Sequence, residues 1–348
     1  MEKRDYLLAE AKRYPAMMPE DAMKHCYQAA FGAEHLLMDM ERARAYFDAE
    51  YAAAPPEKGD LTEAISPCVH RAPLGAWKAA GLPADWLFTL FAQSASLPPV
   101  SDFEEWLSAA DALAAEGHFP FTREAWQKYV AAYRQAGLHP VHHSEEYRAH
   151  YRPAYRLISA PAARLLPVLL LVTKHDFQKK PTCIIAIDGR AASGKTTAAA
   201  LLSRVLSAGM AHMDDFFLPP ALRTPERLAE KGGNVHYERF ADEVLLQLRC
   251  KEEFTYKPFD CSAMDYRGER LVAASAYRIV EGSYSHHPHF GSYADIAVFS
   301  TVSPEEQLYR IQKRNGDAMA EIFRTRWIPM EEAYFTACRT EERADIRI

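Results

Sequence analysis

The chain of 348 residues is predicted to be an α/β protein, in which a mainly α-helical N-terminal domain precedes a parallel β-sheet with flanking helices. Two patterns predict this fold class. Residues 1–157 show helical apolar spacing and lack any long alternating run of β-branched residues. From residue 181 onward, short apolar runs alternate with helical stretches, which is typical of parallel sheets. We therefore expect a helical domain at 1–157, a connecting helix or linker at 158–180 and an α/β domain at 181–348.

The helical domain is predicted to contain four main helices. Apolar residues recur at helical spacing in each of them, and proline or glycine clusters separate them. Thr122 is expected to be an N-cap, because a hydroxyl there can accept a hydrogen bond from the first turn. The four predicted helices cover residues 6–14, 21–40, 102–116 and 122–136, and a further helix at 165–174 leads into the α/β domain.

The segment 139–156 combines four histidines with three tyrosines and three arginines. Arg148, Arg152 and Arg156 recur every four residues and would share one face of a helix. Such a face could bind an anion or a substrate, or it could be the solvated side of an interdomain helix, which is the commoner origin of a charged stripe. No carboxylate or cysteine completes a metal-ligand spacing with these histidines, so a metal site is not expected.

The α/β domain is expected to begin with a buried strand at 183–187, bounded by Pro181 and Gly189. A helix at 198–208 follows it. Further strands are predicted near residues 211–213, 277–280 and 296–299.

The first predicted strand runs directly into a glycine-rich loop. Residues 189–196 read GRAASGKT, which matches the P-loop pattern G-x-x-x-x-G-K-T. Its glycines allow close backbone approach, and its N–H groups with the following helix N-terminus form a cradle for phosphate. Lys195 can reach the β- and γ-phosphates, and the Thr196 hydroxyl can bind Mg²⁺. We therefore expect ATP or GTP with Mg²⁺ as cofactors, bound by Gly189, Ala192, Ser193, Gly194, Lys195, Thr196 and Thr197.

Acidic residues follow two of the later predicted strands. Asp214 and Asp215 lie in HMDDFF, where a strand end would stand beside the P-loop at the ligand-binding edge of the sheet. A carboxylate there can accept the proton of a substrate hydroxyl, whereas a helix cap or turn is the structural alternative. Glu281 ends another strand and could hold Mg²⁺ or orient a catalytic water, although a turn carboxylate is also compatible.

Basic residues follow the last predicted strand. Arg310, Lys313 and Arg314 lie on a predicted helix, with Arg324 and Arg326 beyond it. Arginines can neutralise the charge that develops during phosphoryl transfer. A solvated helix face is an equally compatible origin for any one of them.

Composition excludes several other classes of protein. Hydrophobic residues make up 49% and charged residues 25%, as in ordinary globular proteins. The net charge of −6 gives no footprint for nucleic acid, and the six scattered cysteines lack a C-x-x-C pair. The N-terminus lacks the apolar core of a signal peptide, and the longest apolar stretch, 165–172, is too short for a membrane helix. We expect a cytoplasmic protein that binds neither nucleic acid nor membrane.

Six segments occur in the order typical of one family: GRAASGKTT, HMDDFF, GGNVHYERF, YKPFDCS, VEGSYSHHP and QLYRIQKRNG. On these segments, residues 181–348 resemble the uridine kinase and phosphoribulokinase family of P-loop kinases, and HMDDFF is also similar to nicotinamide riboside kinases. The resemblance implies a P-loop NTPase sheet and transfer of phosphate from a nucleoside triphosphate to a hydroxyl of a small molecule. It implies Asp214 as the catalytic carboxylate, with Lys195 and Arg314 also catalytic, Glu281 as the Mg²⁺-linked acid and Arg310 as a lid arginine.

The acceptor pocket departs from the uridine kinase pattern. His236 stands where those enzymes have an aspartate, and Phe259 and Met264 stand where they have tyrosine and histidine. A pocket without those polar groups should not select uracil in the same way. The candidate substrate contacts are Asp215, His236, Arg239, Phe259, Asp260 and Arg310.

Other acceptors and one other class of function stay open. Pantothenate, glycerate and a sugar phosphate are alternatives to a nucleoside. A nucleotide-binding regulatory module that signals through residues 1–157 is a different class, but such a module needs no general base like Asp214. The sequence does not fix the oligomeric state.

Overall fold

The computed structural model describes residues 2–33, 39–96 and 101–348. The chain divides into two compact units, Met1–Leu166 and Pro167–Ile348. The first unit thus extends nine residues beyond the predicted end at 157, because residues 155–159 form a strand that pairs inside it.

The first unit is mainly helical and also contains a small antiparallel sheet. Its three strands have the order β1-β2-β3. Its elements are α1 (Lys3–Arg13), α2 (Pro19–Phe31), α3 (Met40–Ala53), β1 (Glu63–Ala64), β2 (Val69–Pro73), α4 (Leu74–Ala79), α5 (Ala84–Ala95), α6 (Phe103–Ala115), α7 (Arg123–Ala136), α8 (Glu145–Tyr151), β3 (Tyr155–Ser159) and α9 (Ala160–Ala163).

Three of the four predicted helices are confirmed, as α1, α6 and α7. The Thr122 hydroxyl accepts a hydrogen bond from the Ala125 N–H at 3.2 Å, as expected of an N-cap. The predicted helix at 21–40 is wrong as one element. α2 ends at Phe31 because Gly32 adopts a left-handed φ of 61°, and α3 starts at Met40. Residues 34–38, which the prediction included, lie outside the described residues.

The interpretation of residues 139–156 as one helix is also wrong. α8 ends at Tyr151, because its C-cap Arg152 has a left-handed φ of 44°, and Arg156 lies in β3. The three arginines therefore do not share a helix face. The small sheet was missed because β2 and β3 pair across about 85 residues of chain, so that neither strand shows its register in the local pattern.

A buried polar network lies in the first unit. Asp21 is fully buried and accepts hydrogen bonds from the backbone N–H and the hydroxyl of Ser144 at 3.0 and 2.7 Å. Nδ1 of His143 lies 2.9 Å from Asp21 Oδ1, and its Nε2 lies 2.8 Å from the Tyr155 hydroxyl. Burial lowers the pKa of His143 to about 4. The imidazole is therefore neutral at pH 7 and donates from Nδ1 to the carboxylate.

This network predicts that the first unit loses stability in mild acid. Histidine in the unfolded chain takes up a proton near pH 6.5, whereas folded His143 does so only near pH 4. The unfolded state is therefore favoured as the pH falls from about 6.5 to 4, by about 2 kcal/mol between pH 7 and pH 5. Urea unfolding followed by tryptophan fluorescence measures this, since Trp77, Trp86, Trp106 and Trp126 all lie in this unit.

His143→Asn is the matched control for this prediction, because asparagine keeps an N–H donor for Asp21 and cannot titrate. The variant should be less stable at pH 7 and should lose less stability on going to pH 5. The same pH dependence in both proteins would assign the acid sensitivity to another group.

The second unit contains a five-stranded parallel sheet with the order β12-β11-β4-β10-β5. α10 (Leu166–Val172) precedes it along the chain. The other elements are β4 (Cys183–Gly189), α11 (Lys195–Leu206), β5 (Gly209–His212), α12 (Pro225–Ala229), α13 (Tyr237–Phe240), β6 (Phe254–Tyr256), β7 (Phe259–Asp260), β8 (Asp265–Tyr266), β9 (Arg270–Val272), β10 (Tyr277–Glu281), β11 (Ile296–Ser300), α14 (Pro304–Asn315), α15 (Asp317–Ile322), α16 (Ile328–Cys338), α17 (Thr340–Arg343) and β12 (Ile346–Arg347).

The sheet confirms the predicted fold class, a P-loop NTPase sheet with flanking helices. β4 is the central strand and all seven of its residues are buried, as its continuous apolar run predicts. The carboxyl ends of β4, β5 and β10 lie at one edge of the sheet, because these strands are parallel neighbours. The P-loop, Asp214 and Glu281 follow or end these strands, so the fold brings them to the same edge. Within the described ranges, no helix is long and apolar enough to cross a membrane.

Candidate active site

The phosphate-binding loop connects β4 to α11 and depends on two glycines. Gly189 has a φ of +137°, and a Cβ at this position would overlap the carbonyl group of Ser300 on the neighbouring strand. Gly194 has a φ of +100° and directly precedes α11. The loop can therefore approach the sheet edge closely, with its N–H groups beside the N-terminus of a helix of 12 residues.

Lys195 lies folded over this loop. Its Nζ donates to the carbonyl oxygens of Gly189 and Arg190 at 2.7 and 2.9 Å, and the side chain is only 9% exposed. These bonds hold a positive charge at the mouth of the cradle, where it can exchange a carbonyl for a phosphate oxygen.

Asp188 is a buried aspartate that holds the start of the loop in place through hydrogen bonds, and it was not among the predicted site residues. Oδ1 of Asp188 accepts hydrogen bonds from the N–H groups of Gly189 and Tyr284 at 2.7 and 3.0 Å. Its Oδ2 accepts from the His286 N–H and the Tyr334 hydroxyl, both at 2.9 Å. An acid inside a buried strand is itself the available signal, because a buried carboxylate must be hydrogen-bonded.

α16 and α17 hold the outer side of the loop. Arg190 forms ion pairs with Glu332 at 2.7 Å and with Glu341 at 3.2 Å. Glu331 accepts hydrogen bonds from the Ala191 N–H at 3.0 Å and from the Ser283 hydroxyl at 2.7 Å. Burial raises the pKa of Glu331. The loop is thus fixed from the C-terminal end of the chain as well as by the sheet.

Glu281 stands beside the threonine that the motif assigns to Mg²⁺. Its Oε2 accepts from the Thr196 hydroxyl at 3.2 Å, and its Oε1 lies 2.6 Å from Nδ1 of His212. The Thr196 hydroxyl and the Glu281 carboxylate are both hard oxygen groups of the kind that Mg²⁺ binds. No group of three or more histidine, cysteine or acidic side chains in the described part of the chain could hold a metal by itself. The residues therefore fit Mg²⁺ that also binds phosphate oxygens and water.

The two neighbouring aspartates have different surroundings. Burial raises the pKa of Asp214, and the nearby Lys195 opposes this shift. The Asp214 side chain lines the cavity and is exposed there, so the nearby protein shifts its pKa without covering it. Asp215 instead accepts from the Tyr256 hydroxyl at 2.7 Å and pairs with Arg270 at 3.0 Å. Asp215 is thus bonded to neighbouring side chains, whereas the Asp214 side chain faces the cavity.

These groups line one cavity of about 860 Å³. Of the predicted site residues, it brings together Ala192, Gly194, Lys195, Thr196, Thr197, Asp214, Glu281, Arg310 and Arg314. Met264, the third position that departs from the uridine kinase pattern, also lines it. Arg326, which was predicted only as one of several arginines, lines the cavity as well. The lining residues that were not predicted are Ala191, Phe217, Arg223, Leu228, Asn234, Cys261, Ser283, Tyr284, Phe323, Trp327, Met330 and Glu331.

The structure does not place the other predicted substrate contacts on this cavity. Arg239 donates to the carbonyl oxygens of Asp215 and Lys257, and its guanidinium stacks on a phenylalanine. Phe259 is 97% buried. The remaining predicted residues outside the lining are Gly189, Ser193, Asp215, His236 and Asp260.

Asp260 and Asn234 show that alignment with the uridine kinase pattern does not identify the residues that line the cavity. Asp260 Oδ1 accepts from the N–H and the hydroxyl of Ser262 at 2.8 and 2.5 Å, so the carboxylate closes a local turn. In the GGNVHYERF segment, Asn234 reaches the cavity whereas His236 does not.

No family model matches the chain, and no curated protein matches it. Among solved structures, a protein described as a possible uridine kinase from Bacillus stearothermophilus is similar, with 21% identity, a TM-score of 0.37 and coverage of 48% of this chain and 88% of that one. A protein provisionally described as a fructose transport system kinase from Silicibacter sp. TM1040 has 21% identity, a TM-score of 0.44 and coverage of 53% and 98%.

Proposed function

We propose that residues 167–348 form a kinase that moves the γ-phosphate of ATP or GTP to a hydroxyl of a small metabolite. One observation carries the proposal: an aspartate whose carboxylate accepts no hydrogen bond from the described residues shares a cavity with the P-loop lysine. Asp214 accepts no hydrogen bond from the residues that the structure describes, and it lines the same cavity as Lys195 and Thr196. A nucleotide-binding module without turnover has no use for such a base.

The proposed mechanism assigns proton transfer to Asp214. Its carboxylate accepts the proton of the acceptor hydroxyl as that oxygen bonds to the γ-phosphorus, and the bond to the β-phosphate oxygen breaks to release the nucleoside diphosphate. The protein around Asp214 raises its pKa, and a carboxylate with a raised pKa is a stronger base than an unperturbed one. Lys195 stabilises the charge on the transferred phosphate.

The metal and the arginines complete the proposed phosphate site. Thr196 and Glu281 would hold Mg²⁺, which supplies charge neutralisation on the β- and γ-phosphates. Arg314 lines the cavity and its Nε donates to the Asn315 side chain at 2.8 Å, which leaves its other donors for phosphate. Arg310 is held by Glu306 at 2.7 Å, so it contributes at the rim.

Uridine and cytidine are expected to be poor acceptors. The cavity offers Met264, Phe217 and Leu228 as apolar walls, and His236, Phe259 and Asp260 do not line it. Strong discrimination for a base needs polar groups that a wrong substrate leaves unpaired. Steady-state kinetics measures this prediction, with ADP release as the readout. A kcat/KM of about 10⁴ M⁻¹s⁻¹ or above on uridine would contradict it, since that value lies within the usual enzyme range.

A panel of hydroxyl-bearing metabolites with MgATP tests the kinase proposal itself. Release of ADP that depends on one acceptor supports it, and the ADP and phosphorylated product should form in equal amounts. Tight binding of MgATP with no turnover on any acceptor would instead favour the regulatory module.

A further inference from the structure

Six residues that line the cavity take no part in the proposed phosphate site: Phe217, Arg223, Leu228, Asn234, Cys261 and Met264. Together they are called the acceptor end. The charges of Asp214 and Arg223 both act on the Cys261 thiol, so this end lies beside the proposed base. Arg223 is the charged group among these six residues. This end is where an acceptor would place the part of its body that does not react.

Arg223 is held with its donors directed toward this end. Its Nε donates to the Leu218 carbonyl oxygen at 2.8 Å, and Nη2 lies 3.9 Å from the sulfur of Met264, which is at most a weak acceptor. Burial raises the pKa of the Cys261 thiol, the charge of Asp214 adds to this rise, and Arg223 opposes it through its charge and a side-chain hydrogen bond, which places both charges close to that thiol. The remaining N–H groups of the guanidinium form a fork that suits a carboxylate or phosphate group.

Neighbouring arginines in the same region have acidic partners. Arg227 pairs with Glu238 at 2.7 Å, Arg267 with Asp260 at 3.5 Å and Arg270 with Asp215 at 3.0 Å. No carboxylate of the described chain lies within ion-pair distance of Arg223. Water can satisfy this guanidinium while the cavity is open, but an acceptor that fills the cavity removes that water. A charged donor that loses water needs an anionic partner, because an unpaired buried charge is costly.

We infer that Arg223 binds an anionic group, a carboxylate or a phosphate monoester, on the hydroxyl-bearing acceptor. The inference rests on the proposed kinase function for the identity of the acceptor end. It narrows the substrate class to small hydroxy acids or hydroxyalkyl phosphates with a partly apolar body, because Phe217, Leu228 and Met264 line the same cavity as Arg223. A neutral nucleoside has no group of this kind.

Calorimetric titration tests the inference without turnover. The full-length protein, saturated with Mg²⁺ and a non-hydrolysable ATP analogue, is titrated with pairs of probes that differ in one anionic group. Glycerate against glycerol and pantothenate against panthenol test a carboxylate, and fructose 6-phosphate against fructose tests a phosphate. We expect the anionic member of at least one pair to bind about tenfold or more tightly than its neutral partner. The pair that shows this preference identifies the anion.

Arg223→Gln should abolish the preference and leave binding of the ATP analogue unchanged. Arg223→Lys, which keeps the charge without the fork, should retain part of it. Arg267→Gln is the matched control, because it removes the same charge from an exposed arginine that does not line the cavity. Equal binding of both members in every pair, no binding of any probe, or an undiminished preference in Arg223→Gln would each overturn the inference.

Turnover assays on the same pairs separate this inference from the kinase proposal. An Arg223-dependent preference in binding without ADP release in MgATP would contradict the kinase and leave the anion site standing. Efficient turnover of a neutral acceptor that Arg223→Gln does not change would contradict the anion site and leave the kinase standing.

Discussion

Lys195→Ala is expected to reduce phosphoryl transfer by about 10³-fold or more, the order of effect found for cations that stabilise the transferring phosphate. The lysine ammonium group lies on the loop, bonded to two carbonyl oxygens, and no other lysine lines the cavity among the described residues. Steady-state ADP release with the best acceptor measures the effect. Folding should survive, because the side chain makes its hydrogen bonds with the loop and contributes little to the apolar core.

Lys251→Ala is the control for this substitution, since Lys251 is exposed and lies outside the cavity lining. Its activity should equal that of the wild type. Near-normal turnover in Lys195→Ala, with circular dichroism showing a folded protein, would contradict the assignment of the P-loop as the phosphate-transfer site.

Asp214→Asn is expected to lower kcat by about 10²–10⁴-fold, which is typical of the loss of a positioned acid–base group. The amide fills the same space but cannot accept a proton from the acceptor hydroxyl. The affinity for nucleotide should change little, because the phosphate cradle stays intact. Single-turnover measurement of the chemical step, together with nucleotide binding, separates these two effects.

Asp215→Asn is the matched comparison at the adjacent position. It weakens the ion pair with Arg270 and the hydrogen bond with Tyr256, both away from the cavity. We expect it to lower stability more than the chemical rate. A larger loss of kcat in Asp215→Asn than in Asp214→Asn would show that the base has been assigned to the wrong aspartate.

The elements that the sequence predicted correctly have local signals. β4 is a continuous apolar run, and the P-loop needs a strand before it and a helix after it, so both could be located from residues 183–206 alone. The small sheet of the first unit has no such signal, because its register joins Val69 to Ser159. The same holds for β12, a two-residue strand that completes the edge beside β11.

Some residues of the candidate site also have a local signal in the sequence, and others do not. Lys195, Thr196 and Asp214 were predicted to lie together because a motif or a strand end places them, and they line one cavity. Asp188 could not be assigned its role, since its partner Tyr334 is 146 residues away in the chain.

The residues at the acceptor end were predicted from their alignment with uridine kinase segments, and that alignment does not identify the residues that line the cavity. His236 and Phe259 lie outside the cavity, and Asn234 and Arg223 lie on it. A side chain's direction in such short loops depends on tertiary packing, which a family register does not supply. Segment order therefore predicted the fold of the second unit but did not identify the residues that line the proposed acceptor end.

Transfer of label from [γ-³²P]ATP tests the central claim most directly. The full-length protein is incubated with Mg²⁺, labelled ATP and each acceptor of the panel, and the products are separated by chromatography. The account predicts an acid-stable labelled phosphate ester of one acceptor, formed by the wild type and absent with Lys195→Ala and Asp214→Asn. Label that remains in ATP, or that appears solely as inorganic phosphate with every acceptor, would contradict it.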